Sequence, residues 1–148
     1  MFYVLQEALR HIIYLCVPGT EIPSWFAPEL PRFSIRKNLK LKAVIIGVVV
    51  SLDQQVEDNF RKKLPAIVDI QAKIIRLNDA IFTKALYLLG VPDTDEDQLY
   101  LCRFHEFQQL VFMLEDGDKI AVTMRENPRF NGLKLKKHGI HVVFAGDE

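Results

Sequence analysis

The side chains that could carry out chemistry are few. His11, His105, His138 and His141 with Cys16 and Cys102 could ligate a metal, but no pair has zinc-finger spacing, and His138 and His141 on one strand would point to opposite faces. Asp93-Thr94-Asp95-Glu96-Asp97 alternates carboxylates as a calcium loop does. The sixth position is Gln98 where that loop needs glycine, and the twelfth is Phe104 where it needs glutamate, so an EF-hand is excluded. The string reads instead as a solvated acidic loop. No Gly-x-Ser-x-Gly elbow, P-loop or dinucleotide fingerprint occurs. The expectation is a non-catalytic protein with no metal and no cofactor.

Recognition is what remains. Cys102-Arg103-Phe104-His105-Glu106-Phe107 mixes aromatic, cationic and acidic side chains between two strand candidates. Arginine and aromatic residues supply most interface energy, so Arg103, His105 and Phe107 are the expected binding residues, in a loop. Nineteen basic residues balance nineteen acidic ones, which leaves no field to hold nucleic acid or an anionic membrane. The basic clusters, Arg36-Lys37, Lys40, Lys42, Arg61-Lys62-Lys63 and Lys134, Lys136, Lys137, read as the wet faces and loops of strands. Two cysteines are too few for a disulfide scaffold and no Asn-x-Ser/Thr acceptor is present, which favours an intracellular, reducing compartment.

The elements that must position these residues are strands. At 148 residues, 49% of them hydrophobic, the chain suits one domain with its own core. Leu5, Ala8, Leu9, Ile12 and Ile13 recur at helical spacing, which predicts a short N-terminal helix within residues 1–15. It lacks the basic n-region of a signal peptide, and Glu7, Arg10 and His11 interrupt its apolar stretch. The rest, 16–148, predicts a single all-β antiparallel sandwich of about eight strands. Strand candidates are Cys16–Gly19, Phe33–Leu41, Ala43–Leu52, Ala66–Leu77, Ile81–Leu89, Gln98–Phe104, Gln109–Glu115, Lys119–Arg125 and Leu133–Phe144. Ala43–Leu52 (AVIIGVVVSL) would extend about 33 Å as a strand but about 15 Å as a helix, too short as a helix for a bilayer core of roughly 30 Å. In Ala66–Leu77, Ala66, Val68, Ile70, Ala72 and Ile74 alternate against Ile67, Asp69, Gln71 and Lys73, so one face should be wet. Asp116-Gly117 predicts a hairpin between Gln109–Glu115 and Lys119–Arg125, and Gly139 a bulge or kink in the last strand.

Val17-Pro18-Gly19-Thr20-Glu21-Ile22-Pro23-Ser24-Trp25-Phe26 is the most distinctive string. Its prolines fix φ, its glycine permits a tight turn, and it brings two large rings to one corner. It resembles the opening signature of the C-terminal jelly-roll and Ig-like domain (C-JID, or post-LRR domain) of plant TIR-NB-LRR disease-resistance receptors, Leu-Pro-Gly-x-x-[Ile/Val]-Pro-x-[Trp/Tyr]-Phe. Val17 replaces the commoner leucine; Pro18, Gly19, Ile22, Pro23, Trp25 and Phe26 match. The resemblance continues through Phe33–Leu41 and Ala43–Leu52 to the closing segment 132–143, where His138 stands at a position commonly cysteine and Gly139 matches. Phe144 lies near the usual tyrosine, while Asp53–Asn131 fits only in strand count and spacing.

The resemblance implies a jelly-roll or Ig-like sandwich packed on the last leucine-rich repeats, with residues 1–15 as the linker from them. It implies a plant-defence role in the cytoplasm or nucleus, with a pathogen effector or guarded host protein as partner. NAD hydrolysis would then belong to an upstream TIR domain absent from this chain. Two other functions compete: a structural cap on the leucine-rich-repeat solenoid, and a lectin-like carbohydrate binder, for which an exposed ring is wanted where the chain has only the cornered Trp25.

Overall fold

The computed structural model describes residues 14–18, 21–24, 26, 40–52, 66–89, 96–128 and 132–145. Residues 1–13 of the expected N-terminal helix, most of the Phe33–Leu41 strand, Gly19, Trp25, Arg61-Lys62-Lys63 and Asp93–Asp95 lie outside them; Tyr14 and Leu15, assigned to that helix, are corrected to the start of the first strand, because they pair with Cys102 and Leu101. The described residues form an all-β antiparallel sandwich. Its strands are β1 (Tyr14–Pro18), β2 (Leu41–Leu52), β3 (Ala66–Ile67), β4 (Ile70–Arg76), β5 (Asp79–Ala85), β6 (Leu88–Leu89), β7 (Gln98–His105), β8 (Lys119–Met124) and β9 (Leu133–Phe144), with one helical turn, α1 (Gln109–Phe112), between β7 and β8. One sheet has the order β1-β7-β2-β9, the other β5-β4-β8, and β3 pairs with β6 as a small ribbon.

The core lies between the two sheets. Val44, Ile46, Val48, Val50, Tyr100, Cys102, Phe104 and Ile140 of the first meet Ile70, Ala72, Ile74, Ile120 and Val122 of the second. Antiparallel sheets usually leave one face in water, yet Ala43–Val50 is buried throughout. The reason is a second apolar layer on the opposite face, where Phe26 packs with Ile45, Val49, Leu99 and Leu101, supported by Ile22 and Val143. That is why β2 reads as an unbroken apolar run.

The strands end where the apolar residues change parity. Ala66–Leu77 is two strands, because Ile67 and Asp69 are both buried, as are Ile70, Ala72 and Ile74. The uniform wet face predicted there is corrected: the chain breaks at Val68–Asp69 to switch faces, and the Asp69 carbonyl accepts the Arg125 N–H at 2.7 Å. Ile81–Leu89 divides likewise around buried Leu86 and exposed Tyr87. In β9 the core takes Leu133 and Leu135 at one end but Ile140, Val142 and Phe144 at the other. A bulge must absorb the change. It falls between the Val49–Lys137 and Val50–Leu135 pairs, making Lys136 the extra residue. Gly139 is not the bulge; it pairs in register with Gly47.

The predicted strand Gln109–Glu115 is corrected to a helical turn. Leu110, Val111 and Leu114 are its buried residues and Phe112 is exposed; i, i+1 and i+4 share one face of a helix, whereas a strand would turn Val111 away from Leu110 and bring Phe112 in beside it. The hairpin expected at Asp116-Gly117 is therefore absent: Gly117, at φ +87°, turns the chain from α1 into β8, which pairs with β4. The tight hairpin is instead β4–β5, closed by Leu77 and Asn78 between paired Arg76 and Asp79, both with left-handed φ (+53° and +69°). That is the backbone of a type I′ turn, which favours Asn-Gly. Leucine pays about 1–2 kcal/mol in this region, and Leu77, 91% exposed, makes no packing return. Leu77→Asn combined with Asn78→Gly is expected to stabilise the chain by about 1 kcal/mol, read as a raised urea midpoint with an unchanged slope.

Candidate binding surface

β7 sends Tyr100, Cys102 and Phe104 into the core and Leu99 and Leu101 to the outer layer beneath Phe26. Period two continues that outer face through Arg103 and His105. Arg103 is half-buried opposite Ile45, and His105 is exposed opposite Ala43. Arg103 and His105 thus belong to the strand, a correction to the expected loop; β7 persists to His105 because β2 pairs with it that far. Phe107 alone of the three lies in the turn beyond, 75% exposed.

The turn is built around that ring. The His105 N–H donates to Gln108 Oε1 at 2.8 Å, and the Phe107 N–H donates to His105 Nδ1 at 3.2 Å, which places the neutral imidazole's proton on Nε2. The two rings meet edge to face at 6.1 Å. The Lys40 ammonium sits 5.8 Å from the centre of Phe107, within cation–π range. The same ammonium is 2.9 Å from Glu106 Oε2, and Lys42 donates to Glu106 Oε1 at 3.4 Å. The Lys40 hydrogen bond, helped by Lys42, holds the Glu106 carboxyl below the usual range. The sequence had assigned Lys40 and Lys42 to wet strand faces; the β2–β7 pairing brings them to this turn.

Two further aromatic and cationic groups adjoin the turn. Phe112, 60% exposed, follows Gln108 by one turn of α1. Between α1 and β5 a pocket of about 150 Å³ is lined by Phe82, Lys84, Phe104, Gln108, Gln109 and Leu110. Phe112 was hidden by the strand assignment; reading Leu110, Val111 and Leu114 as one helical face would have put it outside.

Other described residues singled out in the sequence make contacts elsewhere in the fold. In the corner, Phe26 N–H donates to the Pro23 carbonyl at 3.0 Å, closing a turn that seats the Phe26 ring 5.8 Å from His141. Pro18 pairs with Gln98 across β1–β7, and Ile22 and Pro23 are half-buried. Asp97 is not a wet loop carboxylate, since Lys136 lies 3.0 Å away, and Lys137 pairs with Glu21 at 2.7 Å. Burial pushes the Cys102 thiol up to about 12, so it stays protonated at neutral pH. Among the described residues no group of three or more His, Cys, Asp and Glu side chains could hold a metal ion, and no helix is long and apolar enough to cross a membrane. Comparison of the chain with protein-family models, with curated proteins and with solved structures gives no match.

Proposed function

We propose that this chain is a non-catalytic protein-recognition domain of the C-JID type, from an intracellular plant immune receptor, acting beside leucine-rich repeats to recognise a pathogen effector or guarded host protein. The observation that carries the reading is the exposed Phe107 ring, held between His105 and Lys40 at the end of a rigid strand. An aromatic side chain left this exposed but fixed in place suits a protein interface, because little entropy is lost when a partner covers it. The signature residues Ile22, Pro23 and Phe26, which form the corner over β2, fit the resemblance without identifying the partner.

The test uses the intact receptor that carries the domain. Phe107→Ala and His105→Ala are expected to weaken effector co-precipitation and cell-death signalling at least about tenfold, about 1.4 kcal/mol, while thermal melts of the 148-residue chain stay within a few degrees. Both side chains are exposed, so folding is spared. Normal binding and signalling by both variants, with failure of Leu9→Asp in the N-terminal apolar stripe, would replace the recognition role by that of a solenoid cap.

A further inference from the structure

The pocket between β5 and α1 opens where the two sheets part. Its floor is core: Phe104 is 6% and Leu110 1% exposed, with Phe82 half-buried beside them. Its rim is polar, made by Lys84, Gln108 and Gln109. A volume of about 150 Å³ is enough for a single aromatic ring in an apolar cavity. Phe107 precedes Gln108 in the chain and Phe112 follows it by one helical turn, so the rim residue has a largely exposed phenylalanine on either side of it in sequence.

Charge says what would cover them. Lys84 is on the rim, and Lys40 and Lys42 reach the adjoining turn, where the carboxylate against them is Glu106, already engaged by both. Among the described residues, two lysines on Glu106 in the turn before Gln108 and Lys84 on the rim leave a net positive charge beside an apolar hole. We propose that this opening docks an acidic segment of a partner protein, one apolar side chain of which fills the pocket over Phe82, Phe104 and Leu110. The inference rests on the recognition reading above and names the chemistry of the partner for that surface. Aromatic rings lining a small apolar pocket, with a net positive charge beside it, form an anchor site with electrostatic selection.

The experiment follows amide resonances of the 148-residue chain during titration with three synthetic decapeptides, each at up to about 1 mM. One has a single Phe flanked by Asp and Glu, the second has Lys in place of the acids, and the third has Ala in place of Phe. The acidic Phe peptide is expected to shift Lys84, Gln108 and Gln109, and to bind at least tenfold more weakly to Phe112→Ser and to Lys84→Glu, whose exposed positions spare the fold. Equal binding of the lysine or alanine peptide, or no shift with any peptide, overturns the proposal. So does self-association of the chain that Phe112→Ser abolishes, because the occupant is then a second copy. Absent peptide binding alongside effector capture that still depends on Phe107 removes the pocket and spares the recognition reading. Peptide binding as described, with effector capture indifferent to Phe107 and His105, supports the pocket and removes that reading.

Discussion

Phe26→Ala is expected to lower the stability of this chain by about 3–5 kcal/mol, the cost of emptying a well-packed aromatic site, seen as a lower urea midpoint. Phe26 is 6% exposed and roofs the outer face of β2, where Ile45, Val49, Leu99 and Leu101 would otherwise meet water. The ring reaches the sheet because Gly47 lies beneath it: a Cβ at that position would stand 3.1 Å from Phe26 Cε2 and from Leu101 Cδ2, and 3.5 Å from Ile22 Cδ1. Gly47→Val should therefore destabilise by about 1–3 kcal/mol through overpacking. The two changes share one contact, so they should not add. Gly47→Val in the Phe26→Ala background is expected to cost at least about 1 kcal/mol less than in the parent, because the added methyls enter the space the ring has left. Full additivity would mean that Phe26 does not rest on Gly47 and that another group closes this face.

This arrangement also marks how far the sequence could be read. The apolar run of β2 was legible as a buried strand, and the Ile22-Pro23-x-x-Phe26 corner as a rigid aromatic anchor. That the second buries the outer face of the first was not legible, because nothing local says which distant strand a corner covers. Parity carried more than period. The switch from Leu133 and Leu135 to Ile140 and Phe144 calls for a β9 bulge between Leu135 and Ile140, and the pairing with β2 fixes it at Lys136, whereas reading glycine as the weak point put it at Gly139. In and just after α1, Leu110, Val111 and Leu114 share one helical face, but a single turn is too short to outweigh the β-prone Val111 and Phe112 around it. The same slip hid Phe112; Arg103, His105 and Phe107 are near neighbours in the chain, while Lys40 and Lys84 come to this region through the fold.

Asp118→Asn is expected to cost about 3 kcal/mol, chiefly through hydrogen bonds made to a charged carboxylate. Asp118 is 1% exposed and joins three segments. Arg76 Nε donates to Oδ1 and Nη2 to Oδ2, both at 2.9 Å, and the Glu115 N–H donates to Oδ2 at 2.9 Å. Arg76 Nη2 also donates to the Met113 carbonyl at 3.0 Å, so the pair ties the end of β4 to the chain leaving α1. The Arg76 hydrogen bond, with the Glu115 N–H and the guanidinium charge assisting, holds the Asp118 carboxyl below its ordinary range. A carboxyl lowered in the folded state contributes its stability fully above the unfolded value of about 3.9 and loses it as pH falls through the folded value. The parent chain should thus lose stability on acidification below about pH 4, and Asp118→Asn, already without that charge, should show a shallower fall over the same range. Urea midpoints measured from pH 7 down to pH 2 give both quantities. Parallel pH curves for the two proteins would mean that the Asp118 carboxylate is no better placed in the fold than in the unfolded chain, and that α1 is held to β4 by its apolar face alone.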